Sequence, residues 1–268
     1  MINSAQQKEV EKLFELGAHL GHKKSRLHPK ARKNVYQMIN GTSIIDLTNT
    51  IEQLDKAKKY LSEAAKEGKQ ILVVGTKKTA NQFVKDYCGS NNIPFITTKW
   101  LPGLLTNFKT IMENVKKLKE YQELQLSKEF EQIVKHERTK MIKDTAKLER
   151  LYSGIKNINK RPDIMVMVDI KKEKNAVKEA QSYNIPIVAI ADTNANPETI
   201  EYPVVANDDD IEVVVYLMKQ LLDAYVGKIK KTQKTVVESP KVEETKETIK
   251  GKVKNEPKTI KKEVKNDK

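Results

Sequence analysis

The stretch that most constrains this chain runs from Gln70 to Ile111. Its four apolar residues without alternation, Ile71-Leu72-Val73-Val74, suit a strand buried on both faces, as in a parallel sheet. Gly75 ends the run, and Thr76-Lys77-Lys78 follow in the turn. A helical pattern (Ala80, Phe83, Val84, Tyr87) then leads to a second apolar run at 93–96. This is a β-α-β unit with cations at the carboxyl end of its first strand, where open α/β sheets place ligands.

The rest of the chain extends, flanks or interrupts that unit. Residues 8–17 read as a short amphipathic helix bearing Val10, Leu13, Phe14 and Leu16 and stopped by Gly17. Residues 18–34 are strongly basic, without apolar period, and are expected to form an exposed loop. Two short apolar runs flank Asn40-Gly41, a hairpin signal. Thr48 is expected to cap a helix from Asn49 to about Lys66, closed by Gly68. From 107 to 151 no strand-like run occurs, and Ile111, Val115 and Leu118 keep 4-3 spacing. This reads as an inserted antiparallel helical hairpin of coiled-coil type. With arms of ~18 residues it would reach about 27 Å. It carries too few apolar positions to be covered by the sheet, so it is expected to project. The α/β rhythm resumes with strands at 164–169 and 186–192, a short run at 202–205 and a final helix from Ile211 to Tyr225.

Charge decides the class of partner. The formal net charge is +14, and half of it lies in 228–268, where 14 Lys face 7 acidic residues. That segment lacks aromatics and a stable apolar stripe, so it reads as a disordered basic tail. The expected division is therefore an α/β core of 1–106 and 152–227, the hairpin 107–151, and the tail 228–268. The balance favours a polyanion, above all nucleic acid. No stretch reaches the ~18 apolar residues that span a bilayer, and no signal-peptide core precedes the first helix. The single cysteine, Cys88, reads as a buried small hydrophobe in a reducing compartment, which together place the chain in the cytoplasm.

Several residue groups are candidate sites. The turn Gly75-Thr76-Lys77-Lys78 opens a helix and could meet phosphate. It lacks the glycine fingerprint of a mononucleotide site, so a nucleic-acid phosphate fits better and a solvated turn remains open. His19, His22 and His28 suggest a metal, but no third ligand falls in register, and hydrogen-bonding histidines are the preferred reading. His136 reads as a solvent-facing helix residue. Asp169, Asp192, Asp208, Asp209 and Asp210 stand at strand ends; Asp208 to Asp210 suit helix capping and the other two suit turns, in preference to a Mg²⁺ or acid–base site. Trp100, the only tryptophan, is expected to pack between elements rather than stack on a base.

Seven segments in order, GAHLGHKKSRLHPK (17–30), INGTSIIDL (39–47), GTKK (75–78), KWLPGLLTNFKTI (99–111), LERLYSGIKNINKRPD (148–163), MVD (167–169) and ADTNANPETIEYPVVANDDDIEVV (191–214), resemble the bacterial small-subunit ribosomal protein two family. The resemblance covers nearly all of 8–227. It implies a three-layer, flavodoxin- or Rossmann-like α/β core with the inserted coiled-coil hairpin. It implies no enzymatic activity, no cofactor, no metal, no membrane and no small-molecule substrate. The implied partners are small-subunit ribosomal RNA near the head–body junction, neighbouring ribosomal proteins, and the large RNA-unwinding protein that recruits messenger RNA. The residues expected to contact RNA are His22, Lys23, Lys24, Arg26, Lys30, Arg32, Lys33, Lys77, Lys78, Lys99, Asn107, Lys109, Lys116 and Lys117, with Lys119, Arg138, Lys140 and Lys143 further along the hairpin. The rival readings are a nucleotide-dependent α/β enzyme using the 75–78 turn and a protein-docking scaffold built on the hairpin.

Overall fold

The computed structural model describes residues 4–237. Its elements in chain order are α1 (Ser4–Glu15), β1 (Leu20–Lys23), β2 (Val35–Ile39), β3 (Thr42–Ile45), α2 (Leu47–Lys66), β4 (Ile71–Val74), α3 (Lys78–Ser90) and β5 (Phe95–Ile96). They continue with α4 (Phe108–Leu126), α5 (Glu129–Gln132), α6 (Lys135–Tyr152), β6 (Ile164–Val168), α7 (Lys174–Ser182), β7 (Ile187–Ala191), β8 (Tyr202–Val205) and α8 (Ile211–Val237).

A five-stranded parallel sheet in the order β5-β4-β6-β7-β8 forms the centre. Counted within the sheet this is the 2-1-3-4-5 order of doubly wound folds, with the switch point between β4 and β6. Each of β4, β6 and β7 is buried along its whole length, which is why the apolar runs show no alternation. Ile71, Val73, Ile164, Val166, Val188 and Ile190 point to one core, shared with α1, α2, α3 and α8. Leu72, Val74, Met165, Met167, Ile187 and Ala189 point to a second core, shared with α4 and α7. Three layers result, as expected.

The basic segment departs from the expected exposed loop. β1 pairs antiparallel with β3, which pairs with β2, and two 3-10 turns (Lys24–Arg26 and Pro29–Asn34) complete it. A four-residue strand is too short to leave a period in the sequence. The β2–β3 turn is the expected one, with Asn40 and Gly41 at φ 49° and 76°. The cap of α2 is Asp46 rather than Thr48: the Asp46 carboxylate accepts from the Thr48 amide at 2.9 Å, so the helix starts two residues early.

The insertion has two long helices, α4 and α6, joined through the short α5, and the long pair packs antiparallel because contacts join early α4 with late α6. Asn114 meets Tyr152, Gln122 meets Glu149, and Gln125 meets Thr145 at 2.9 Å. Ile111, Val115, Leu118 and Tyr152 are buried in the second core, so the base of the hairpin packs on the body rather than projecting. Beyond Leu118 the arms are joined by the Gln122–Glu149 and Gln125–Thr145 bonds, and Leu126, Val134 and Ile142 are exposed. At the other end, α8 runs on through Val237, past the expected tail boundary at 228. The remainder of that tail, 238–268, lies outside the described residues.

Candidate nucleic-acid interface

Parallel strands bring all their carboxyl ends to one edge, and most of the chemistry-bearing residues gather there. Thr76, Lys77 and Lys78 follow β4; Lys99 follows β5; Asp169 to Lys174 follow β6; Asp192 to Asn194 follow β7; Asp208 and Asp209 follow β8. The basic segment is fastened onto this edge. Gly21 lies so close to Thr193 that a Cβ would stand 2.8 Å from its methyl carbon, and the His22 amide donates to the Thr193 hydroxyl at 2.9 Å. The His28 amide donates to the Thr193 carbonyl at 2.9 Å.

His22 is the anchor. Its Nδ1 stands 2.6 Å from Asp192 Oδ2, and its Nε2 lies 2.9 Å from the Asn194 amide nitrogen. Asp192 is 2% exposed and also accepts from the Thr193 amide and hydroxyl. With Asp209, these residues bring three ligand atoms within 4.8 Å of one another, an arrangement of N and O donors that could hold a divalent cation. A cavity of about 530 Å³ opens above them, rimmed by Lys23 and Arg26. The sequence shows no third ligand near the histidines because the carboxylates lie some 170 residues away.

Lys77 departs from a solvated cation. Its ammonium stands 2.6 Å from Asp208, 2.7 Å from Asp209 and 3.9 Å from Asp169. Burial alone would lower its pKa, but the hydrogen bonds to Asp208 and Asp209 raise it. Burial pushes the Asp208 carboxyl up to about 6 against the pull of Lys77. Asp208 and Asp209 thus serve as partners of Lys77, and of the three aspartates Asp210 is the one that caps α8, accepting from the Glu212 amide at 2.8 Å. Asp169 takes the turn role expected of it, at φ 64°, and accepts from the Lys172 amide at 2.9 Å.

The other expected contacts divide by whether they already have a carboxylate. Lys30 and Lys33 both meet Glu198, at 2.9 and 3.0 Å, and the bonds from these two lysines hold its carboxyl below the usual range. Lys23 is exposed at the end of β1, Lys24, Arg26 and Arg32 are exposed on the 3-10 turns, and Lys78 and Lys99 are exposed at the sheet edge. Lys109, Lys116 and Lys117 are exposed on α4; Lys116 reaches Glu120 at 3.7 Å and Lys117 lies over Tyr121. Asn107 is exposed and accepts from the Thr110 hydroxyl at 2.9 Å. His28 caps a 3-10 turn, and His19, half buried and stacked on Phe14 at 4.3 Å, has its pKa lowered by burial. Trp100 is buried as expected, with Nε1 donating to Glu179 at 3.0 Å. The same carboxylate accepts from the Gly103 and Leu105 amides and so sets the approach to α4.

Comparison with known proteins matches residues 13–227 to the family described as ribosomal protein S2. A small ribosomal subunit protein uS2 of Coprothermobacter proteolyticus is 38% identical over 80% of this chain and 80% of its own. That of Petrotoga mobilis is 39% identical over 81% and 75%, and that of Dehalococcoides mccartyi 36% over 81% and 89%.

Proposed function

Because this chain belongs to the ribosomal protein S2 family, we propose that it is a structural constituent of the small ribosomal subunit that supports translation by binding ribosomal RNA and neighbouring ribosomal proteins, without catalysing a reaction. The observation that carries the RNA reading is the run of exposed cations Lys23, Lys24 and Arg32, which make no ion pair among the described residues, with Arg26 beside Asp209, on a segment fixed to the body through His22 and Asp192. A preorganised row of cations positions a polyphosphate without reading bases. Lys78, Lys99, Lys109 and Lys117 extend the row along the sheet edge and the hairpin base. The head–body junction is the site the family resemblance implies for this contact.

The pairing of Lys77 with Asp208 and Asp209 speaks against the rival enzyme, whose phosphate would need that ammonium. Among the described residues no helix is long and apolar enough to cross a membrane. Binding of the full chain to purified small-subunit RNA tests the reading. With ~6 phosphates neutralised, log affinity should fall against log salt with a slope of about −4 to −5. A slope near zero would overturn it.

A further inference from the structure

The small antiparallel sheet has two edges with different fates. β1 is fastened to the body through His22 and Thr193, whereas β2 pairs only with β3. The register is irregular between Val35 and Gln37, so Gln37-Met38-Ile39 is the regular part of this second edge. Residues flanking a two-residue turn form a hydrogen-bonded pair, and pairs then alternate along the ladder. Ile39 with Thr42, and Gln37 with Ile44, therefore turn their backbone groups inward. Met38, between them, turns its amide and carbonyl outward, where they meet no partner among the described residues. Tyr36, Met38 and Ile39 are also exposed large apolar side chains, Tyr36 at 72%.

An open edge invites another strand, and folds commonly guard it with lysine or proline. Here residues 34–45 hold no charged residue and no proline, in a chain of which 32% of residues are charged. That gap decides the partner. A polyphosphate would find no cation on the strand. A two-fold interface sets a patch against its own copy, so any charge near the axis would meet its like. An uncharged edge is what self-pairing requires, because chains of formal net charge +14 otherwise repel one another. Beside the strand an apolar groove of about 380 Å³, lined by Val10, Phe14, His19, Tyr36 and Ile39, widens the surface that pairing would cover.

We propose that the free protein pairs with a second copy of itself through β2, the two strands running antiparallel about a two-fold axis at Met38 and joining the two small sheets into one. Met38 then exchanges both backbone bonds with Met38 of the second copy, and Gln37 stands opposite Ile39. The contact is small and belongs to the weak, concentration-dependent class. It hides the open edge in the free protein and stands independently of the RNA-binding function proposed above.

Sedimentation velocity of the full chain, freed of nucleic acid, tests the pairing over a range of protein and salt concentrations. The dimer fraction should rise with protein concentration. It should rise again with salt, which screens the repulsion between the two cationic chains and leaves an uncharged contact untouched. Met38→Lys and Met38→Glu should each be monomeric, because like charges face each other across the axis, and an equal mixture of the two should pair again. Ile142→Lys, which alters an exposed residue of α6, should pair as the wild type does. Circular dichroism checks the fold of each variant, and hydrogen exchange at the Met38 amide should slow as the dimer forms. A wild type that stays monomeric throughout leaves the edge to an extended segment of another protein and overturns the proposal. So does a dimer that weakens with salt, one that survives Met38→Lys, one that Ile142→Lys abolishes, or a mixture that stays monomeric.

Discussion

His22 Nδ1 and Asp192 Oδ2 meet at 2.6 Å across 170 residues of chain, joining the three-stranded antiparallel sheet to the carboxyl edge of the parallel sheet. The contact converts a basic segment with no apolar period into a fixed surface. His22→Ala leaves the buried Asp192 with only its Thr193 donors, and should cost about 1–3 kcal/mol in denaturant unfolding. It should also weaken binding to small-subunit RNA beyond what one lost ring explains, since Lys23 to Lys33 lose their anchor. Unchanged stability would show that the pair does not hold the segment.

Glu179 gathers three donors on one carboxylate: the Trp100 indole and the Gly103 and Leu105 amides. Glu179→Ala orphans all three and should destabilise the fold by about 3 kcal/mol. Trp100 is the only tryptophan and is 6% exposed, so its emission should shift to longer wavelength in the native variant. Native emission identical to wild type would contradict the role assigned to this carboxylate.

Glu198 restrains two of the cations expected to face RNA. Glu198→Gln should free Lys30 and Lys33, raise affinity for small-subunit RNA, and steepen the salt slope by up to about 1.4–1.8. Lower affinity in this variant would mean that Glu198 positions the lysines for RNA rather than competing with it.

Cys88 is wholly buried on α3, and burial pushes its thiol up to about 12. Because the folded value lies above the ordinary value of 9.0, the contribution to stability is full below that value and is lost as pH rises towards 12. At pH 8.5 the native protein should resist alkylation by iodoacetamide for hours and react quickly once unfolded. Equal rates in the two states would refute the burial of the thiol.

What the sequence discloses and what it hides follow from the range of each interaction. The unbroken apolar runs at β4, β6 and β7, the Asn40-Gly41 turn and the stripe of α2 are local patterns, and the structure has each of them. The strand β1 is hidden because its partners sit some 20 residues on and its four residues alternate with nothing. The cap at Asp46 is hidden because Thr48 is also a capping residue by type, and the backbone decides between them. Ile111, Val115 and Leu118 share their core with sheet residues, a packing that local spacing along α4 does not show. The partition of lysines into paired and unpaired depends on distant carboxylates, so local sequence does not show that Lys77 meets Asp208 and Asp209.

The insertion of the hairpin between β5 and β6 sets a timetable for the nascent chain. Ile71 pairs with Ile164, so β4 waits while about 90 residues are made before its second neighbour exists. At roughly 5–20 residues per second that delay is about 5–18 s. Throughout it the strand has only two residues of β5 beside it and an apolar flank open to any passing edge. A pause in synthesis between residues 111 and 164 would lengthen this exposure, and the yield of soluble protein should fall with it.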